Sequence, residues 1–119
     1  MEERADDTMT LATEAADLLG DDVRYSGLRE QVLGIAFALA GDLDQAGPHF
    51  QSAVDELERR RQWREATDVA RSWARFLRAA GREGEAFDVM DRAAVLGARQ
   101  VGAETRRARE EPLPRRSRA

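Results

Sequence analysis

The strongest constraint on this 119-residue chain is that it repeats itself. Gly41 and Gly81 stand 40 residues apart. Shifting the sequence by that interval sets Leu33 on Trp73, Gly34 on Ala74, Phe37 on Leu77, Ala46 on Ala86, Phe50 on Met90 and Ala53 on Ala93. Each pair keeps its size class. Any amphipathic helix repeats large apolar residues at helical spacing, but that periodicity does not dictate where small residues fall. Preserved small positions therefore point to helix pairs in close approach, with Gly34/Ala74 on one helix and Ala46/Ala86 on the next. Phe37/Leu77 and Phe50/Met90 are then the knobs that fill the space between helices and between successive hairpins. Repeats of this length belong to stacked units that cannot bury their apolar faces alone.

The rest of the sequence agrees with an all-α fold. Alanine, leucine, arginine and glutamate dominate, β-branched residues are sparse, and the three prolines are Pro48, Pro112 and Pro114. Apolar residues at 3.6 spacing predict helices over about 3–19, 24–40, 43–61, 63–80 and 83–97, and nothing alternates with the period of a strand. Asp42 is positioned as an N-cap, and Pro48 is expected in or just after the first turn of its helix. Gly20, Gly27, Gly41, Gly81 and Gly97 are expected near helix ends, where glycine accepts the left-handed cap geometry. Short connections at Gly41-Asp42 and Gly81-Arg82 require antiparallel hairpins. Residues 98–110 either extend the last helix or form a short sixth. The predicted organisation is a helical domain over 1–110 and a disordered basic tail over 111–119.

Charge and composition exclude several function classes. All nineteen basic residues are arginines, and the net charge is −4. Seven arginines against three acids give +4 from Arg99 onward, which leaves −8 for residues 1–98. An acidic body disfavours nucleic acid as a partner for this chain alone. With no cysteine and the single histidine His49, neither a thiol nucleophile nor a histidine-based metal site is expected. No apolar run approaches the roughly 18 residues of a membrane span. The opening Met1-Glu2-Glu3-Arg4 has no signal-peptide character, so the expected setting is the cytoplasm. No cofactor and no catalytic constellation are expected.

These residues resemble the tetratricopeptide repeat. Its pattern of Leu-Gly, an aromatic, a turn glycine, an alanine, an aromatic and a further alanine reads here as Leu33-Gly34, Phe37, Gly41, Ala46, Phe50 and Ala53. A looser copy runs Trp73-Ala74, Leu77, Gly81, Ala86, Met90 and Ala93, and residues 15–22 look like the end of a preceding second helix. The resemblance implies a right-handed stack of antiparallel helix hairpins, about two and a half repeats. The period of 40 exceeds the family's usual 34, which implies a longer connection around Arg59–Arg64, and the family's closing proline is absent. Arginine-only basicity with heavy alanine and glycine suggests a GC-rich genome. Repeats of this length look like the tetratricopeptide regions of actinobacterial helix-turn-helix transcriptional regulators.

The same resemblance assigns the first helix of each pair to a concave binding face. That gives Leu28, Gln31 and Ile35, with Ala38, from one helix. The next contributes Arg71, Arg75 and Arg78, with Asp68 and Ala79. The arginines at i, i+4 and i+7 share one row. They fit a carboxylate, an acidic segment or a peptide C-terminus; the alternative, and the usual meaning of a charge run, is a solvated face paired with Asp68 and neighbouring acids. Trp73 falls at a packing position, whereas Trp63 opens its helix and fits either core or anchor. His49 is expected at the surface. The expected function is a non-catalytic, regulatory protein-interaction module with a peptide or protein partner. The ligand- or peptide-sensing region of a regulator is the alternative. Two repeats leave large end faces, so homodimerisation through an open end is expected.

Overall fold

A computed structural model of the protein describes residues 2–110, apart from the side chains of residues 2–6, Thr8 and Val23. The predicted tail over 111–119 lies outside the described residues. Among those described, five α-helices follow one another: α1 (Glu2–Leu19), α2 (Ser26–Leu39), α3 (Leu43–Arg59), α4 (Trp63–Ala79) and α5 (Glu83–Glu110). A 3-10 turn over Val23–Tyr25 precedes α2. Each helix packs on the next, and α2 also touches α4. The body is elongated, 68 × 35 × 25 Å.

The turns explain why the helices fall where they do. Helix α2 ends with the Asp42 amide donating to the Phe37 carbonyl at 2.9 Å and the Gly41 amide to Ala38 at 3.0 Å. Helix α3 ends in the same way, Gln62 to Leu57 at 2.9 Å and Arg61 to Glu58 at 2.9 Å. Helix α4 repeats it, Arg82 to Leu77 at 2.9 Å and Gly81 to Arg78 at 3.0 Å. These are Schellman motifs, which place their hinge residue in the left-handed region. Gly41 and Gly81 do so at φ of 83° and 78°, and Arg61, against the preference of a side-chain-bearing residue, at 59°. The connection at 60–62 is thus as short as the other two, which corrects the sequence-based expectation. The long period comes from long helices: α3 and α4 have 17 residues each.

The core forms where the repeat's small and large residues meet. Ala46, Phe50, Ala53, Val54 and Ala66 are completely buried, with Ala74, Leu77, Ala86 and Ala93 beside them. A methyl group built on Gly34 would lie 3.0–3.2 Å from three atoms of the Phe50 ring. Glycine there is what lets α2 approach α3. Phe50 in turn lies against Trp73 and Phe76, with ring centroids at 5.9 and 6.1 Å. At the start of α3, the Asp42 carboxylate caps the helix by accepting from the Gln45 amide at 3.1 Å.

Several expectations need correction. Gly97 terminates nothing: α5 continues as one 28-residue helix to Glu110, and a methyl group on Gly97 would meet no atom. Gly27 does lie near a helix end, as the second residue of α2, but without the left-handed geometry; it is buried against Leu57. Pro48 falls just after the first turn of α3, as expected, but there it does forgo a hydrogen bond, having no N–H to donate to the Asp44 carbonyl. Met90, the counterpart of buried Phe50, is 37% exposed, because no further helix among the described residues covers it. His49 is not a plain surface residue. Its ring stacks on Phe37 with centroids 5.4 Å apart, and its Nδ1 lies 2.5 Å from Oε2 of Glu30, tying α3 to α2.

Candidate partner-binding site

The outward stripe of α4 follows from helical spacing alone: Arg64, Asp68, Arg71, Arg75 and Arg78 recur at alternating intervals of four and three, and all are exposed. Arg75 donates to the Ser72 hydroxyl at 3.1 Å. Among the described residues, Arg71, Arg75 and Arg78 form no ion pair, either with Asp68 or with any other carboxylate. The self-neutralised face is therefore not formed. The neighbouring helix gives the reason, for the α5 positions on this flank are Met90, Ala94, Gly97 and Val101, none with a charge. Like charges at i, i+3 and i+4 oppose helix formation by about 0.2–0.5 kcal/mol per pair, so α4 carries this row at a small cost to its own stability.

Between the α4 stripe and α5 runs a groove of about 540 Å³, lined by Arg64, Asp68 and Arg71 on one side and by Ala94, Gly97 and Val101 on the other. Beyond the groove, helical spacing carries the same flank of α5 through Met90 to Phe87, which is 73% exposed. Phe87, Met90, Ala94 and Val101 were not among the sequence-derived binding residues. Their spacing of three, four and seven was a legible apolar stripe, but the repeat alignment assigned Met90 to the core.

The expected α2 residues lie elsewhere. Leu28 is 49% exposed, and Gln31 and Ile35 are half-buried. Ile35 packs on the core and lines a cleft of about 350 Å³ between α1 and α2 with Leu11, Val32 and Leu39. Of the six predicted residues, Arg71 lines the α4/α5 groove and Ile35 the α1/α2 cleft.

The opposite flank of α4 and α5 is chemically different. There a cleft of about 500 Å³ is floored by Trp73, Leu77 and Val89, and the Trp73 indole N–H is buried without an acceptor. Its charges neutralise one another. Arg82 pairs with Asp44 at 3.1 Å and with Glu85; Arg92 reaches Asp55 at 2.6 Å and Glu58 at 3.1 Å; Arg99 also contacts Glu58. The hydrogen bond from Arg82 holds the Glu85 carboxyl below its ordinary range. Burial pulls the Arg92 pKa down, but its hydrogen bonds to Asp55 and Glu58 outweigh this and raise it. These pairs bolt α5 to α3. Trp63 is half-buried under this region, with the Arg99 guanidinium 5.6 Å from its ring centroid, so it packs within the protein.

Among the described residues no group of three or more His, Asp or Glu side chains is arranged to hold a metal ion. No described helix is long and apolar enough to cross a membrane. No protein-family model, curated protein or solved structure matches the chain.

Proposed function

We propose that the protein is a non-catalytic interaction module of tetratricopeptide type, with α2/α3 and α4/α5 as two hairpins of a right-handed stack and α1 as a preceding half-repeat. Its partner is a protein or peptide segment carrying carboxylates beside apolar residues. The observation that carries this reading is the contrast between the two flanks of α4. Arg82, Arg92 and Arg99 are spent on internal carboxylates, whereas Arg71, Arg75 and Arg78 are exposed, share one stripe and have none among the described residues. A guanidinium row beside Phe87, Met90 and Val101 matches an amphipathic acidic segment in both charge and hydrophobicity. A regulatory role in the cytoplasm fits such a module.

The test is binding of a labelled helical peptide with leucine and glutamate at heptad spacing, followed by fluorescence anisotropy at low and high salt. Binding is expected to weaken with salt and to be lost when Arg71, Arg75 and Arg78 are all replaced by alanine, while the helical circular dichroism stays unchanged. Affinity unaffected by the triple substitution would reject the site. A ligand-sensing region of a transcriptional regulator is the second reading, favoured by the same cluster as a grip for a small anion. Saturable thermal stabilisation by a small carboxylate or phosphate compound, without peptide binding, would select it.

A further inference from the structure

The α4/α5 groove has the form of an unfilled helix seat. Phe50 is sealed because α4 lays Trp73 and Phe76 over it. Met90 occupies the same place one repeat later and stands 37% exposed, with Phe87 at 73% and Val101 at 61% along the same rail. Small residues at Ala93, Ala94 and Gly97 leave room for a helix backbone to come close. The seat therefore calls for a helix with leucine-sized residues facing α5 and carboxylates facing the α4 arginines.

One described helix presents that surface. The exposed side of α1 carries Asp7, Glu14 and Leu18, and Leu11 stands beside them at the mouth of the α1/α2 cleft, with Leu11 66% and Leu18 89% exposed. Asp7 and Glu14 are also exposed and form no ion pair among the described residues. The repeat of seven is common to both surfaces: Asp7/Glu14 and Leu11/Leu18 on α1, Arg64/Arg71/Arg78 and Phe87/Ala94/Val101 around the groove. The lengths also agree. The 18 residues of α1 span about 27 Å, and the arginine stripe from Arg64 to Arg78 about 21 Å.

We propose that the α4/α5 groove is filled by α1 of a second copy of this chain, with Leu11 and Leu18 on the α5 rail and Asp7 and Glu14 on the α4 arginines. This deepens the reading of the arginine face as an interaction surface and rests on it. Groove and α1 are different patches at opposite ends of the helix series, so the contact is heterologous. It leaves a free groove at one end and a free α1 at the other, and association proceeds head to tail.

Sedimentation velocity on the full chain over a range of concentrations tests this. The mass is expected to rise past the dimer with concentration and to fall as salt screens the pairs. The variant Arg71→Glu with Arg75→Glu, and the variant Asp7→Arg with Glu14→Arg, should each be monomeric, since each opposes like charges. Mixed in equal amounts they should associate again, because the reversed groove of one fits the reversed α1 of the other. All four positions are exposed, and circular dichroism verifies that both variants fold. A monomeric native chain, a groove variant that associates like the native chain, or a mixture that stays monomeric would each overturn the proposal. A native chain that is monomeric yet binds the leucine–glutamate peptide in an arginine-dependent way overturns self-docking alone and leaves the interaction face standing.

Discussion

Replacing Gly34 by alanine tests the closest helix contact in the protein. In an open helix the exchange stabilises by about 1 kcal/mol, because alanine loses less backbone freedom on folding. Here the added methyl carbon would stand 3.0, 3.1 and 3.2 Å from Cδ1, Cγ and Cε1 of Phe50. Carbon pairs rest at about 3.5–4.0 Å, so the ring would have to withdraw by roughly half an ångström. It has little room to do so. Phe50 is fully buried, with Trp73 and Phe76 against it. Overpacking of this kind costs about 1–3 kcal/mol, and the expected net effect is a destabilisation of about 0–2 kcal/mol. Gly97 is the internal control: it is helical and a methyl group there meets nothing, so Gly97→Ala is expected to stabilise by the full amount of about 1 kcal/mol. Urea unfolding followed by circular dichroism, read as a midpoint shift at constant slope, measures both. Adding Phe50→Leu should relieve part of the Gly34→Ala loss, a coupling a double-mutant cycle isolates. If Gly34→Ala stabilises as much as Gly97→Ala, the close approach of α2 and α3 is wrong.

The left-handed turn at Arg61 predicts the opposite sign: Arg61→Gly should raise stability by about 1 kcal/mol, and Gly81→Ala should lower it by about 1–2 kcal/mol. Both are read from the same unfolding curves. Hydrogen bonds from Arg24 and Arg82 hold the carboxyls of Asp22 and Glu85 below their ordinary ranges. These carboxylates favour the folded state above the ordinary carboxylate range, and that small contribution fades as pH falls through the lowered values. Titration of the side-chain carboxyl carbons by NMR should place both midpoints below those of the unfolded chain, and Arg82→Ala should return Glu85 to its ordinary range. Hydrogen exchange should divide α5: amides around Val89–Leu96 are expected to be protected by the core, whereas those beyond residue 103 exchange many times faster.

How much of this was legible in the sequence depends on whether the signal was local. Helical periodicity marked the five segments, and the pairing of Gly34 with a bulky neighbour was visible as a small residue held in register by the repeat. The hinge at 60–62 was missed because arginine, not glycine, occupies its left-handed position. The identical turn then passed for a longer loop. Gly97 was misread for the converse reason, since a glycine in a continuing helix imitates a stop signal. Met90 looked like core because its twin Phe50 is core, yet burial is decided by what lies on top, and among the described residues only Phe50 has a following hairpin over it. The pairs Arg92–Asp55 and Arg99–Glu58 join residues far apart in sequence, so no local pattern announced them. The free arginine row on the other flank of α4 stood out only when the neutralised one could be set beside it.

The recurrence of one hinge geometry at residues 41, 61 and 81 also bears on how such a chain can lengthen or shorten. Each hinge reverses the chain after twenty residues, so inserting a single unit of that size would send every later helix in the wrong direction and present the wrong side to its neighbours. Duplicating or deleting two units together restores both direction and facing. Variation in length is therefore expected in steps of two hinges, forty residues at a time.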